Sequence, residues 1–182
     1  MDNSQDKPIP SGSIQIDSGL LSGLRLPNNT VACLGIPYAA PPVSSLRWRP
    51  PQRPLPWAGV RPAVKFGASA MHFPPPPTSL YSGGDTDFSE DCLYLNVWSG
   101  AEVQEKRPVL VWFHMGAFQF GSSSNPLYDG RNLAEEGVTV VTVNFRLGRF
   151  GFLAHSQLSA ESVHQVYVLI SCHISLLPKL KL

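Results

Sequence analysis

PVLVWFHMGAFQFGSSS, residues 108–124, decides the fold. Its five consecutive apolar residues, Val109, Leu110, Val111, Trp112 and Phe113, read as a strand buried on both faces, because no polar position interrupts them at either period. The run ends at His114 in a loop of small residues. With Gly116 and Ala117 at its centre, the loop backbone can approach a substrate carbonyl closely enough for its N–H groups to donate hydrogen bonds.

A second run of this kind, VTVVTVNF at residues 138–145, is rich in β-branched side chains. Between the two, Asp129 can cap a short helix through residues 133–136, and Gly137 can end it in the left-handed conformation. Strand, helix and strand predict a parallel pair joined by a right-handed crossover. Open sheets of that type place their crevice beyond the carboxyl ends of the strands, where residues 114–121 fall.

Upstream, residues 92–98 alternate as a strand does. Residues 19–26 and 30–38 are short apolar-rich runs separated by Pro27-Asn28-Asn29, which predicts a hairpin. Between 39 and 57, the prolines at 41, 42, 50, 51, 54 and 56 remove too many backbone donors for a helix or an inner strand. Leu46, Trp48 and Trp57 predict that this coil is packed on a core rather than left in solvent. Residues 72–89, with four consecutive prolines and Gly83-Gly84, predict a surface loop that borders a pocket.

The chain has 182 residues, 43% of them apolar and 15% charged, enough for one domain with a core. Its net charge of +1 provides no field for a nucleic acid or an anionic membrane. MDNSQDKPIP lacks the basic start and apolar run of a secretory signal, so the expected compartment is cytoplasmic. The Asn28-Asn29-Thr30 triplet reads as a turn. Cys33, Cys92 and Cys172 lack CxxC spacing, the five histidines form no HExxH, and the glycines form neither a GxGxxG nor a phosphate loop. No cofactor or metal is expected. Asp85, Asp87, Glu90 and Asp91 do not make a persuasive glycosidase pair, since two are adjacent and two lie on the glycine-rich loop.

SEDCLYLNVW at residues 89–98 resembles an element of the type-B carboxylesterases, the group that contains the cholinesterases. GIPYAAPP at 35–42, Leu46-Arg47-Trp48, the 113–118 loop and VNFRLGRFGFL at 143–153 resemble further blocks of that family in the same order. The resemblance covers residues 19–162. It implies an α/β architecture, the N-terminal fragment of an α/β-hydrolase fold, with a mixed, mostly parallel sheet and an N-terminal β-hairpin. Residues 1–18 are read as a flexible N-terminus and 163–182 as a tail foreign to the family.

The same resemblance implies that the backbone N–H groups of Gly116 and Ala117 are two donors of an oxyanion hole. The third would come from the residue after a nucleophilic serine. No Gly-x-Ser-x-Gly turn occurs in these 182 residues, so the nucleophile, acid and catalytic histidine are absent from them. Met115 stands where the family usually has glycine, so either it sits without strain or the hole is misshapen. His114 is a placement residue in the family, not its base. Glu90 and Arg146 resemble a pair that forms an internal salt bridge. The family partner of Cys92 falls near Ala70, so the disulfide of secreted members has no second thiol, in keeping with a reducing compartment. Where cholinesterases hold a tryptophan against choline, this chain offers Tyr81, which favours general carboxylic esters.

The reading is therefore a carboxylic ester hydrolase lineage working through a serine acyl-enzyme, with a small-molecule ester as its partner and no specific protein partner inferred. The 182 residues alone are expected to be inactive. A non-catalytic binding or adhesion module of the same fold, and the misfolded product of a defective gene model, are the alternatives.

Overall fold

The computed structural model describes residues 9–27, 29–79, 81–83, 87–100 and 106–160. The hairpin forms as expected from β2 (Gly19–Arg25) and β3 (Thr30–Pro37). Asn29 adopts a φ of +58° in the turn, the conformation that asparagine tolerates better than most residues. Ahead of it, β1 (Ile9–Ile16) pairs antiparallel with β2. A flexible lead-in was expected through residue 18, but from Ile9 onward the chain is a strand. Residues 1–8, and the tail expected at 163–182, lie outside the described residues.

Six strands form the path β1-β2-β3-β7-β9-β8, where β7 is Tyr94–Gly100, β8 is Val109–Phe113 and β9 is Thr139–Val143. The short β4 (Val60–Pro62) adds parallel to β2, while β5 (Ser69–Ala70) and β6 (Phe88–Ser89) form a separate parallel pair. The sheet is mixed, with the N-terminal hairpin expected, but four of the five ladders along this path are antiparallel where a mostly parallel sheet was expected. Antiparallel ladders prevail on that side because β7 inserts between β3 and β9 and runs antiparallel to both.

Strands β8 and β9 are parallel, in register from Val109 opposite Thr139 to Phe113 opposite Val143. The connecting α1 (Arg131–Glu135) starts where Asp129 accepts from the Arg131 amide at 3.0 Å and ends at Gly137, with a φ of +88°. Helices α2 (Gly148–Phe152) and α3 (Ser156–Ala160) follow β9.

Every residue of β9 is buried. Val141 and Val143 join Leu95, Val97, Leu21 and Ile36 in the main core, while Val140 packs with Trp98, Ala32 and the helix residue Ala134 on the opposite face. This is burial on both sides, as the continuous run predicts. For β8 that prediction does not hold: Val109 is 62% exposed, and Leu110, Trp112 and Phe113 about 40% each. It is the sheet's last strand, and among the described residues nothing pairs with its outer edge. A sequence run encodes the capacity to be buried, but burial itself needs a neighbour.

The proline-rich segment is packed coil. Trp57 Nε1 donates to the Leu20 carbonyl at 2.8 Å and Trp48 Nε1 to that of Arg149 at 2.9 Å, which pins these half-buried indoles to the rest of the structure.

Candidate functional site

Beyond the carboxyl end of β8 the backbone turns sharply. Gly116, Ala117 and Phe118 have consecutive positive φ values of +127°, +50° and +62°. The Gly116 carbonyl accepts from the amides of Gln119 and Phe120 at 2.8 and 3.2 Å, which folds the loop back on itself. Among the described residues no protein group accepts from the amides of Gly116 or Ala117. Two adjacent donors without a protein acceptor at the end of a parallel strand can hold an anionic oxygen.

Met115 is not among the residues with positive φ. Met115 thus sits without left-handed strain, which Ala117 and Phe118 carry instead, at a typical cost of about 1–3 kcal/mol each. The Met115 side chain is exposed.

A polar cluster beneath the loop holds its exit. Asn144 Oδ1 accepts from the Ser123 amide at 2.7 Å, and Asn144 Nδ2 donates to the Ala68 carbonyl at 3.1 Å. Asn96 Nδ2 donates to Ser123 Oγ at 3.1 Å and Thr142 Oγ1 at 3.0 Å, while its Oδ1 accepts from the Gly35 amide. Ser69 Oγ donates to Ser122 Oγ at 2.9 Å. Asn96, Asn144, Ser122 and Ser123 are each no more than 2% exposed. Buried amides and hydroxyls left unbonded would cost about 1–3 kcal/mol each, so this network resists rearrangement.

At the loop's entry His114 is buried and stacked on Phe145, with ring centroids 4.4 Å apart and planes 13° from parallel. Burial raises the Tyr128 phenol above its usual value, and the nearby Met115 amide partly offsets this. Tyr81 reaches the same region, its ring 6.5 Å from that of Phe120, so the loop at 72–89 does border this site. Gly84 of the Gly83-Gly84 pair lies outside the described residues.

Glu90 and Arg146 line one cavity of about 10 Å³, together with Arg47, Ala70 and Cys92. The ion pair shown for Glu90 is two-pronged and reaches Arg47, with both contacts at 2.5 Å. Arg146 Nη1 donates to the Arg49 carbonyl at 3.0 Å, and burial pulls the Arg146 guanidinium below its usual value. Ala70 and Cys92 are both buried, and burial pushes the Cys92 thiol up to about 12. Such a thiol is not a ready nucleophile.

Sequence reading singled out the glycine and alanine of the loop but missed Asn96, Asn144, Ser122 and Ser123. The available signal was a lone polar residue inside an apolar strand, as in LYLNVW and VTVNF, since such a residue is buried only with partners. Among the described residues no histidine, cysteine or carboxylate side chains gather to hold a metal ion, and no helix is long and apolar enough to cross a membrane.

The family model described as "Carboxylesterase family" matches residues 10–162. Fumonisin B1 esterase of Sphingopyxis macrogoltabida is 45% identical over 150 residues, which span 82% of this chain and 27% of that protein. Para-nitrobenzyl esterase of Bacillus subtilis is 47% identical over 123 residues, 65% of this chain and 24% of the relative. Mouse cholinesterase is 41% identical over 78% of this chain and 25% of its own length. A solved PNB esterase superposes with a TM-score of 0.71 at 40% identity, covering 80% of this chain and 30% of its own. The chain thus spans about a quarter of the length of these curated relatives.

Proposed function

The chain belongs to the carboxylesterase family, and from that premise we propose that it carries the oxyanion-binding arm of a carboxylic ester hydrolase. The observation that carries this reading is the pair of amides at Gly116 and Ala117, which have no protein acceptor among the described residues. When a serine oxygen attacks an ester carbonyl, the carbonyl oxygen gains negative charge, and the two N–H groups stabilise it. One such donor typically contributes about 3–4 kcal/mol to the transition state.

The attacking serine, its histidine base and the acid that orients that base belong to sequence not among these residues. The acyl-enzyme chemistry is therefore that of a longer protein, and these 182 residues alone turn over esters negligibly. Small carboxylic esters are favoured over choline esters, because near the place where cholinesterases hold a tryptophan this chain has Tyr81, a weaker cation platform. Cys92 and Ala70 line one cavity, and the absence of a second thiol at position 70 supports a reducing, cytoplasmic compartment.

The test is hydrolysis of a p-nitrophenyl ester by the purified chain. Release at the rate of the buffer blank is expected. Saturable turnover abolished by a serine-directed phosphonate would overturn the proposed inactivity.

A further inference from the structure

We propose that Asn144 and Phe145, adjacent residues just past the end of β9, are positioning residues that set the geometry of the Gly116 and Ala117 amides. The inference rests on the reading of those amides as oxyanion donors and assigns their control to a neighbouring strand.

The two residues grip opposite ends of one loop. Phe145 holds the entry, through its stack on His114, and also meets the Phe118 ring at 6.3 Å in the middle of the loop. Asn144 holds the exit through Ser123 and more weakly through Ser122 Oγ at 3.5 Å. A few residues on, the Gly148 amide donates to the Phe118 carbonyl at 2.7 Å, so the turn after β9 also fastens the loop's centre. Three consecutive positive φ values persist only where surroundings over-determine them, and here both anchors come from one dipeptide.

Asn144 is itself immobilised. Its amide donates to the Tyr94 carbonyl at 2.9 Å, its carbonyl accepts from Tyr38 Oη at 2.8 Å, and its Nδ2 donates to Ala68. With every polar group engaged, the side-chain oxygen has a fixed position from which to hold Ser123. An anchor this constrained transmits the register of β9 to the loop instead of following the loop's motion.

The test uses the full 182-residue chain labelled with nitrogen-15, and compares the amide resonances of Gly116 and Ala117, and hydrogen exchange at the bonded Gln119 and Phe120 amides of the same loop, with overall melting. Asn144→Ala and Phe145→Leu are expected to shift both resonances and to speed exchange of the Gln119 and Phe120 amides, which donate to the Gly116 carbonyl, about tenfold or more. Ser99→Ala, which breaks the Ser99–Thr139 contact of 2.9 Å at the opposite end of β9, is expected to lower melting without moving them. Asn144→Asp keeps the acceptor for Ser123 and loses the donor to Ala68, so acidification that protonates the carboxyl is expected to return the resonances toward wild type. Should Asn144→Ala not fold, Phe145→Leu and Asn144→Asp decide the matter. Unmoved Gly116 and Ala117 resonances in the folded variants, or equal displacement by Ser99→Ala, would overturn the proposal. Neither result depends on ester turnover, so the oxyanion reading can stand if this one fails.

Discussion

The carbonyl oxygen of Phe120 lies where a side chain on Gly116 would begin, since a Cβ built on Gly116 would stand 1.8 Å from it. Position 116 therefore excludes every side chain, for reasons of space as well as of φ. Gly116→Ala is expected to destabilise the chain by about 1–3 kcal/mol through forced backbone strain. Urea unfolding followed by tryptophan fluorescence measures it, and an unchanged midpoint would contradict this placement.

The next residue should behave oppositely. Ala117 has a φ of +50°, a conformation that costs an L-residue about 1–2 kcal/mol. Glycine removes that strain while adding about 0.4–1 kcal/mol of unfolded-chain entropy. Ala117→Gly should leave stability unchanged or raise it by up to about 1.5 kcal/mol, and a clear fall in the same urea experiment counts against the left-handed assignment.

Alkaline pH should weaken the fold. The Tyr94 phenol is pushed up to about 12 by burial and by the charge and hydrogen bond of Asp91, against an ordinary 10.0. Burial alone raises Cys33 to about 11 from 9.0, and it is the largest cause of the rise of Cys92 to about 12. Groups with raised folded values stabilise fully below their unfolded values, and that contribution is lost as pH climbs through the folded ones. Stability is expected to hold below about 9 and fall between 9 and 12, as read by circular dichroism. Tyr94→Phe should flatten the upper part of the fall.

Ala70 and Cys92 share the wall of one small cavity. Ala70→Cys under oxidising conditions is expected to form a disulfide with Cys92 and raise stability by about 3 kcal/mol, the entropy of closing a loop of this length. Thiol titration and non-reducing mass analysis read the bond. Two persistent free thiols at these positions would show that they do not face each other.

Strand β8 exposes Leu110 and Trp112 on an edge that no other strand pairs among the described residues, and unprotected apolar edges promote association. The purified chain is expected to sediment above monomer mass, and Leu110→Lys to shift it toward monomer with an unchanged dichroism spectrum. Identical sedimentation of the two forms would assign association to another surface.

Much of the architecture could be read from local pattern. The continuous runs marked β8 and β9, alternation marked β7, and Pro27-Asn28-Asn29 marked the hairpin turn. Asp129 and Gly137 bracketed α1. These signals are short-range, because periodicity and turn chemistry act within a few residues. The site was only partly legible in the same way: Gly116 announces a close backbone approach, but nothing in FHMGAF reveals that Ala117 and Phe118 share its left-handed path.

By itself the sequence determined which segments extend and which turn, and the ordered blocks that place the chain in its family. Tertiary structure alone decided that Glu90 takes Arg47, 43 residues away, as an ion-pair partner. It also decided that Asn144 secures a loop 21 residues upstream, and that β8 is left exposed while β9 is buried. The reason is that a strand's tendency is stored in its own side chains, whereas a polar group's partner and an apolar face's cover depend on which distant segments the sheet order brings together.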